Sequence, residues 1–206
     1  LSPTPSALGR EWDSEADYIA AQDRTSSWSH LSPWGAEAAR KFVAFGRYLG
    51  DRLYHDDVVA DFGGNDGTAA NAFFMAHAIK PLVIDCEPKR LRYAEETYKL
   101  QTIQTFLEDM SAIPDGYVDW GFCSHTLEHV RDQRACVREM RRVIKRGCGF
   151  IFPLENHTHA EENEAHTFHC TTLKGWRSLL EECGWRVIIG KRMAKRSECH
   201  IYAEPA

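Results

Sequence analysis

The chain has 206 residues, a net charge of −5, 43% hydrophobic and 27% charged residues. That is the composition of an ordinary globular domain with one sizeable core, and the acidic balance disfavours general nucleic-acid coating. No apolar run approaches the roughly 18 residues of a membrane span, and no basic-then-apolar N-terminal pattern marks a secretory signal. The seven cysteines are scattered without a C-x-x-C, as expected of reduced thiols in the cytoplasm. The chain opens at Leu1 rather than at a methionine, as a trimmed or excised piece would.

Residues 1–12, rich in Ser, Pro and Gly, are expected to be loose, and residues 1–31 are expected to form a flexible segment that could serve as a lid. Ser32-Pro33 reads as a helix start, with Ser as N-cap and Pro at the first position of an amphipathic helix running to Leu49. Trp28 and Trp34 flank that start, for packing or as part of a cover. Strands are then predicted over Val58–Phe62, Pro81–Ile84, Ile103–Leu107, Val118–Cys123, Gly149–Leu154 and Trp185–Ile189, with another at His200–Ala203. Helices are predicted over Thr68–Ile79, Pro88–Leu100, Arg131–Val143 and Thr172–Cys183. This alternation predicts one α/β domain over residues 32–206, Rossmann-like and doubly wound. Its mostly parallel seven-stranded sheet carries helices on both faces. Such sheets bind ligands at the C-terminal ends of their strands.

Those strand ends carry a distinctive set of residues. Asp61-Phe62-Gly63-Gly64-Asn65-Asp66-Gly67 turns from the first strand into a helix. A dinucleotide fingerprint would need glycine at Phe62, and there is no G-K-[ST] of a P-loop. The turn begins with an acid, which suits a cationic ammonium group better than a pyrophosphate. The second strand ends at Asp85, where a carboxylate can accept both hydroxyls of a ribose. The third ends in Glu108-Asp109, where a carboxylate or backbone group can meet an adenine edge. The fourth ends at Ser124 and continues as His125-Thr126-Leu127-Glu128-His129-Val130.

Together these segments resemble the successive motifs of class I S-adenosylmethionine-dependent methyltransferases of the type 11-like group. His125–Val130 resembles their "LEHV" segment, and Val143–Gly149 resembles the "LKPGG" turn before their fifth strand. The likeness covers roughly residues 55–190. It implies that S-adenosyl-L-methionine is bound by Asp61, Gly63, Gly64, Asn65, Gly67, Asp85, Glu108, Asp109 and Ser124. Two departures stand out. Asn65 replaces the family's middle glycine, and asparagine tolerates the left-handed backbone. Arg146 and Cys148 replace the Pro and second Gly of the later turn.

Ten histidines are unevenly placed. His125 and His129 follow the fourth strand, and His157, His159, His166 and His169 follow the fifth. His125, His129 and His166 are candidates for catalysis, a histidine being suited to take a proton from a hydroxyl acceptor. His125-x-x-Glu128-His129 also resembles the metal segment of two methyltransferase groups. These are the ubiquinone-biosynthesis O-methyltransferases and the small-RNA 3′-terminal 2′-O-methyltransferases. His125, Glu128, His129 and His169 would then hold a divalent metal, with His125 favouring a softer ion than a glutamate would. The leading expectation is methylation of a small molecule, at oxygen rather than nitrogen. The alternatives are an RNA-end 2′-O-methyltransferase with a metal site and a catalytically silent partner protein of the same fold. The basic runs Arg138–Arg146 and Lys191–Arg196 read as solvated faces, or as RNA contacts under the first alternative.

Overall fold

The computed structural model describes residues 14–25, 28–154, 170, 172–193 and 197–206, and of residues 21–25 only the backbone. Seven strands form one sheet in the order β3-β2-β1-β4-β5-β7-β6. β1 (Val59–Phe62), β2 (Leu82–Asp85), β3 (Gln101–Gln104), β4 (Val118–Ser124) and β5 (Ile144–Pro153) are parallel, and β7 (Glu198–Pro205) runs antiparallel between β5 and β6 (Trp185–Arg192). This is a Rossmann-like sheet.

The side chains of each central strand divide between two cores, because alternate residues face opposite ways. Ala60, Phe62, Leu82, Ile84, Phe150 and Phe152 enter one core with Val137, Met140, Trp176 and Leu180. Val59, Val83, Phe122 and Ile151 enter the other with Phe42, Phe45, Phe73 and Leu91. Burial on both sides explains why β1, β2 and β4 are largely apolar rather than alternating. Aromatic stacking fixes the packing on each face: Phe42 on Phe122 at 4.4 Å and Phe152 on Trp176 at 4.0 Å between ring centroids. The buried indoles keep their N–H groups satisfied, Trp176 donating to the Pro153 carbonyl and Trp185 to that of Val137.

Helix starts follow their caps. Ser32 accepts from the Gly35 N–H and opens α2 (Pro33–Leu49) with Pro33 at its start, as the sequence predicts. Glu87 caps α4 (Pro88–Tyr98), and Thr172 caps α6 (Leu173–Glu182). Asp132 accepts from the amides of Arg134 and Ala135, so α5 (Gln133–Val143) starts two residues later than Arg131. α3 (Thr68–His77) follows the glycine-rich turn.

Four differences from the sequence reading have physical causes. β3 lies at Gln101–Gln104 rather than Ile103–Leu107; it is an edge strand with polar, partly exposed residues, while Leu107 joins Met110 and Ile113 in the core beyond it. β5 begins at Ile144, so the Lys145-Arg146-Gly147 stretch is strand with a register shift opposite Val118 and Trp120, not a turn. β6 and β7 each run several residues beyond their apolar stretches, pairing with one another through polar positions such as Arg192 with Cys199. A helix α1 (Glu15–Thr25) and a 3-10 turn at Ser29–Leu31 occupy part of the N-terminal segment. Residues 1–12, the histidines at 157, 159, 166 and 169, and the basic residues at 195 and 196 lie outside the described residues. Among the described residues no helix is long and apolar enough to cross a membrane.

Candidate active site

The strand order reverses between β1 and β4, because the chain moves outward through β2 and β3 before returning to β4. A crevice must open at the C-terminal ends of those two strands. The cleft found there is lined by Gly63, Asn65, Asp85, Glu87, Arg90, Phe106, Glu108, His125, Thr126 and His129, with Tyr18 reaching in from α1.

The turn after β1 is left-handed at three residues, Gly63 (φ 72°), Asn65 (φ 55°) and Gly67 (φ 76°). Asn65 therefore adopts the backbone of the glycine it replaces. Gly63 has a second constraint: a Cβ there would lie 2.2 Å from Cγ2 of Thr126. The turn consequently runs tightly against the segment after β4, and the Thr126 hydroxyl donates to the Phe62 carbonyl at 3.2 Å. Gly64 and Gly67 do not line the cleft; they pack against Val83 and Ala94, respectively.

Asp61 is 3% exposed, and its Oδ2 has no hydrogen-bond partner. Burial and then the nearby charge of Asp85 push its carboxyl up to about 8. Asp85 is held from both sides: Oδ2 accepts from the Asn65 N–H at 2.9 Å and Oδ1 from the Glu87 N–H at 3.0 Å. Glu108 lines the cleft and accepts from the Arg131 N–H at 2.8 Å. Asp109 is not brought to the cleft; it is exposed, and hydrogen bonds from the Ser111 side chain and then its N–H hold its carboxyl below the usual range. Ser124 does not line the cleft; its hydroxyl is buried without a hydrogen-bond partner.

At the other end His125 sits in left-handed backbone (φ 52°). Its Nε2–H donates to Glu198 Oε2 at 3.1 Å, and its Nδ1 faces Glu128 Oε1 at 3.3 Å. Burial alone would pull the imidazole down, but the two carboxylates outweigh it and push His125 up to about 9. Glu198 is held well below the usual carboxylate range despite burial, by His125, His200 and Lys41. Lys41 donates to Glu198 Oε2 at 2.7 Å and His200 to Oε1 at 2.9 Å. Among the described residues no three His, Cys, Asp or Glu side chains are grouped to hold a metal ion. Both ring nitrogens of His125 are directed at carboxylates rather than offered to one.

α1 closes this end. The Tyr18 hydroxyl donates to the His129 carbonyl at 3.0 Å, and the Arg131 guanidinium lies 5.5 Å from the Tyr18 ring and 4.6 Å from that of Phe106.

Against known proteins, a family profile described as a methyltransferase domain matches residues 60–152. That stretch runs from β1 through the cleft-forming ends of β2 and β4 into β5. Over those residues the chain carries a class I S-adenosylmethionine-dependent methyltransferase domain. Solved structures share this fold along nearly the whole chain. A chain from the complex between the Haloferax volcanii Trm112 methyltransferase activator and a methyltransferase shares 14% identity, covering 90% of this chain and 97% of its own, with a TM-score of 0.73. A methyltransferase of Aquifex aeolicus shares 17% identity over 92% and 99% of the two chains (TM-score 0.67). One from Thermotoga maritima shares 12% over 91% and 99% (TM-score 0.65). No curated protein matches the chain in sequence.

Several residues in and around the cleft carry no sequence signal. Tyr18 lies in a helix without a clear apolar stripe. Glu198 and Lys41 are distant in sequence from His125: Glu198 meets it because β7 inserts beside β5, and Lys41 reaches both from α2. Asp66 looks like a turn residue but is fully buried.

Proposed function

We propose that the chain transfers the methyl group of S-adenosylmethionine to a small-molecule acceptor, at oxygen rather than nitrogen. The observation that carries this reading is the pair of acids at the switch point. Asp61 is buried with its Oδ2 lacking a hydrogen-bond partner, and Asp85 is a cleft carboxylate fixed by two amides. A buried charge of this kind is costly unless a cation answers it, and the ammonium group of the cofactor's methionine part supplies one. Asp85 would accept from the ribose hydroxyls and Glu108 from the adenine edge, while Gly63 and Asn65 let the backbone approach closely. Asp109 has no part in this reading, because its carboxylate is spent on its own turn.

The cofactor, when bound, supplies an electrophilic methyl group, so the protein's task is to position the acceptor and manage its proton. His129 lines the cleft and is the candidate to take that proton. His125, held charged between Glu128 and Glu198, is better suited to orient an acceptor than to deprotonate it. His166 and His169, outside the described residues, are left no assigned step, and the reading gives a metal no part. The doubly wound description rests on the strand order and on the two cores. The domain is read as residues 32–206, with α1 as part of a cover within residues 1–31. The seven free thiols suit a cytoplasmic setting.

The RNA-end alternative loses support at its basic run. Arg142 is paired with Glu139 and Asp115, Arg146 with Asp57, and Lys145 with Asp119. A second reading, as a subunit that works with a partner protein, is favoured by one observation: the Haloferax volcanii structure comes from a complex with an activator. Calorimetry with S-adenosylhomocysteine, followed by label transfer from methyl-labelled cofactor into a small-molecule extract, tests the proposal. Binding with label in a low-mass product is the expected result. Absence of binding, or label found only in macromolecules, would overturn it.

A further inference from the structure

The two amides that hold Asp85 belong to different segments, and both segments are tied to the same N-terminal turn. On one side, Asn65 donates to Asp85, and the next residue, Asp66, is fully buried. Oδ2 of Asp66 accepts from the His30 backbone N–H at 3.0 Å and from its ring Nδ1–H at 2.7 Å. Oδ1 accepts from the Thr68 amide and hydroxyl. On the other side, Glu87 donates to Asp85 through its amide and accepts the Arg90 N–H on its carboxylate at 3.0 Å. The Arg90 guanidinium lies 5.9 Å from the Trp28 ring. Tyr93, on the same helix, stacks on His30 at 4.4 Å and 7°. Trp28 meets both rings edge-on at 5.5 Å.

Packing alone does not account for this arrangement. A turn that only had to cover apolar surface would gain nothing from a buried Asp66, whose desolvation must be offset by well-made hydrogen bonds. Here both of its oxygens are used, one on the helix start and one on the turn. The turn also lies outside residues 60–152, the part matched by the family profile.

We propose that Trp28 and His30 are positioning residues for the cofactor: the turn braces the Asn65 and Glu87 segments and so fixes the carboxylate of Asp85. The inference rests on the reading of Asp85 as the ribose acid. It predicts a coupling between residues that do not themselves line the cleft and one that does.

A thermodynamic cycle tests it. His30→Ala and Trp28→Ala should each weaken S-adenosylhomocysteine binding by about tenfold, the scale of one lost charge-assisted contact. In an Asp85→Ala background the same substitutions should cost less than about twofold, because there is no longer a carboxylate to position. His30→Asn, which keeps a side-chain donor, should recover most of the affinity. Equal losses in both backgrounds, or unchanged affinity in the first, would overturn the brace. A second measurement uses the cofactor-free chain. His30→Ala should speed hydrogen exchange at the Asn65 amide, and Trp28→Ala at the Glu87 amide, relative to core amides such as Phe150. Unchanged exchange at both would equally overturn it. Variants that show these exchange changes, with a parent chain that binds no S-adenosylhomocysteine, would support the brace and remove the cofactor reading.

Discussion

His125 and Glu198 meet at 3.1 Å across the end of the sheet, and Lys41 reaches the same carboxylate oxygen at 2.7 Å. The histidine follows β4 and the glutamate opens β7, so the contact ties together two strands that are not neighbours, with β5 between them.

This contact predicts a pH window. The folded protein holds His125 at about 9, above its ordinary 6.5. Its contribution to stability is therefore complete below about 6.5 and is lost as pH rises through 9. Glu198→Gln should flatten the fall in melting temperature between pH 7 and 9, and should lower the His125 pKa followed by ring-proton NMR. A His125 pKa near 9 in the variant would contradict the assignment.

Asp61 predicts the opposite trade between stability and binding. Its folded value of about 8 lies above the ordinary 3.8, so in the cofactor-free protein its ionisation opposes folding increasingly from about pH 4 to 8. Asp61→Asn should raise the melting temperature at neutral pH. The same substitution should weaken S-adenosylhomocysteine binding by about 1.5–3 kcal/mol, the scale of a hydrogen bond to a charged group. In the parent protein affinity should rise with pH up to about 8, because the cation needs the ionised acid. Calorimetry from pH 6 to 9 reads this, and a flat profile would count against Asp61 as the ammonium partner.

The sheet centre and the glycine turn were legible because local chemistry and tertiary burial agree there. β1, β2 and β4 are largely apolar and buried on both faces, and Gly63, Asn65 and Gly67 are residue types that enter left-handed backbone readily. The edges were less legible. β3 is polar and half-exposed, so the nearby apolar run Ile103–Leu107 misplaced it. The start of β5 carries Lys145 and Arg146, whose charges are answered by Asp119 and Asp57 from elsewhere in the chain. α1 places Tyr18 over the cleft without an apolar stripe in its sequence to announce it. Asp109 and Glu108 are adjacent acids, and only the turn geometry separates the cleft residue from the exposed one.

Cofactor choice follows from the turn. Phe62 is wholly buried in the core where a pyrophosphate-binding turn would place glycine. The chain should bind S-adenosylhomocysteine and ignore NAD in a competition assay, and comparable NAD affinity would reject the assignment. Asp85→Ala should cost about 1.5–3 kcal/mol of that binding, since charge-assisted hydrogen bonds are at stake.

Gly63→Val should abolish cofactor binding for two independent reasons. A β-branched residue is strained at φ 72°, and its Cβ would fall 2.2 Å from Thr126 Cγ2. Removing the neighbouring side chain altogether, Cβ included, in a Gly63→Val, Thr126→Gly double variant relieves only the second. The double variant should therefore still fail to bind in calorimetry, and full recovery would show that the backbone conformation is unimportant.

The last prediction concerns the cover. The Tyr18 hydroxyl bonds the His129 carbonyl at 3.0 Å, and its ring lies 5.9 Å from that of Phe106. Tyr18→Phe removes the hydrogen bond and keeps the ring, so it should cost about 1 kcal/mol. If α1 closes over a bound ligand, that cost should fall on dissociation: release of S-adenosylhomocysteine should quicken severalfold while association stays nearly constant. Tyr18→Ala, which also removes the ring from Phe106 and Arg131, should quicken release further. Stopped-flow fluorescence with displacement by excess ligand separates the two rates. A change confined to association would show that α1 gates entry, and equal rates in all three proteins would remove α1 from the binding cycle.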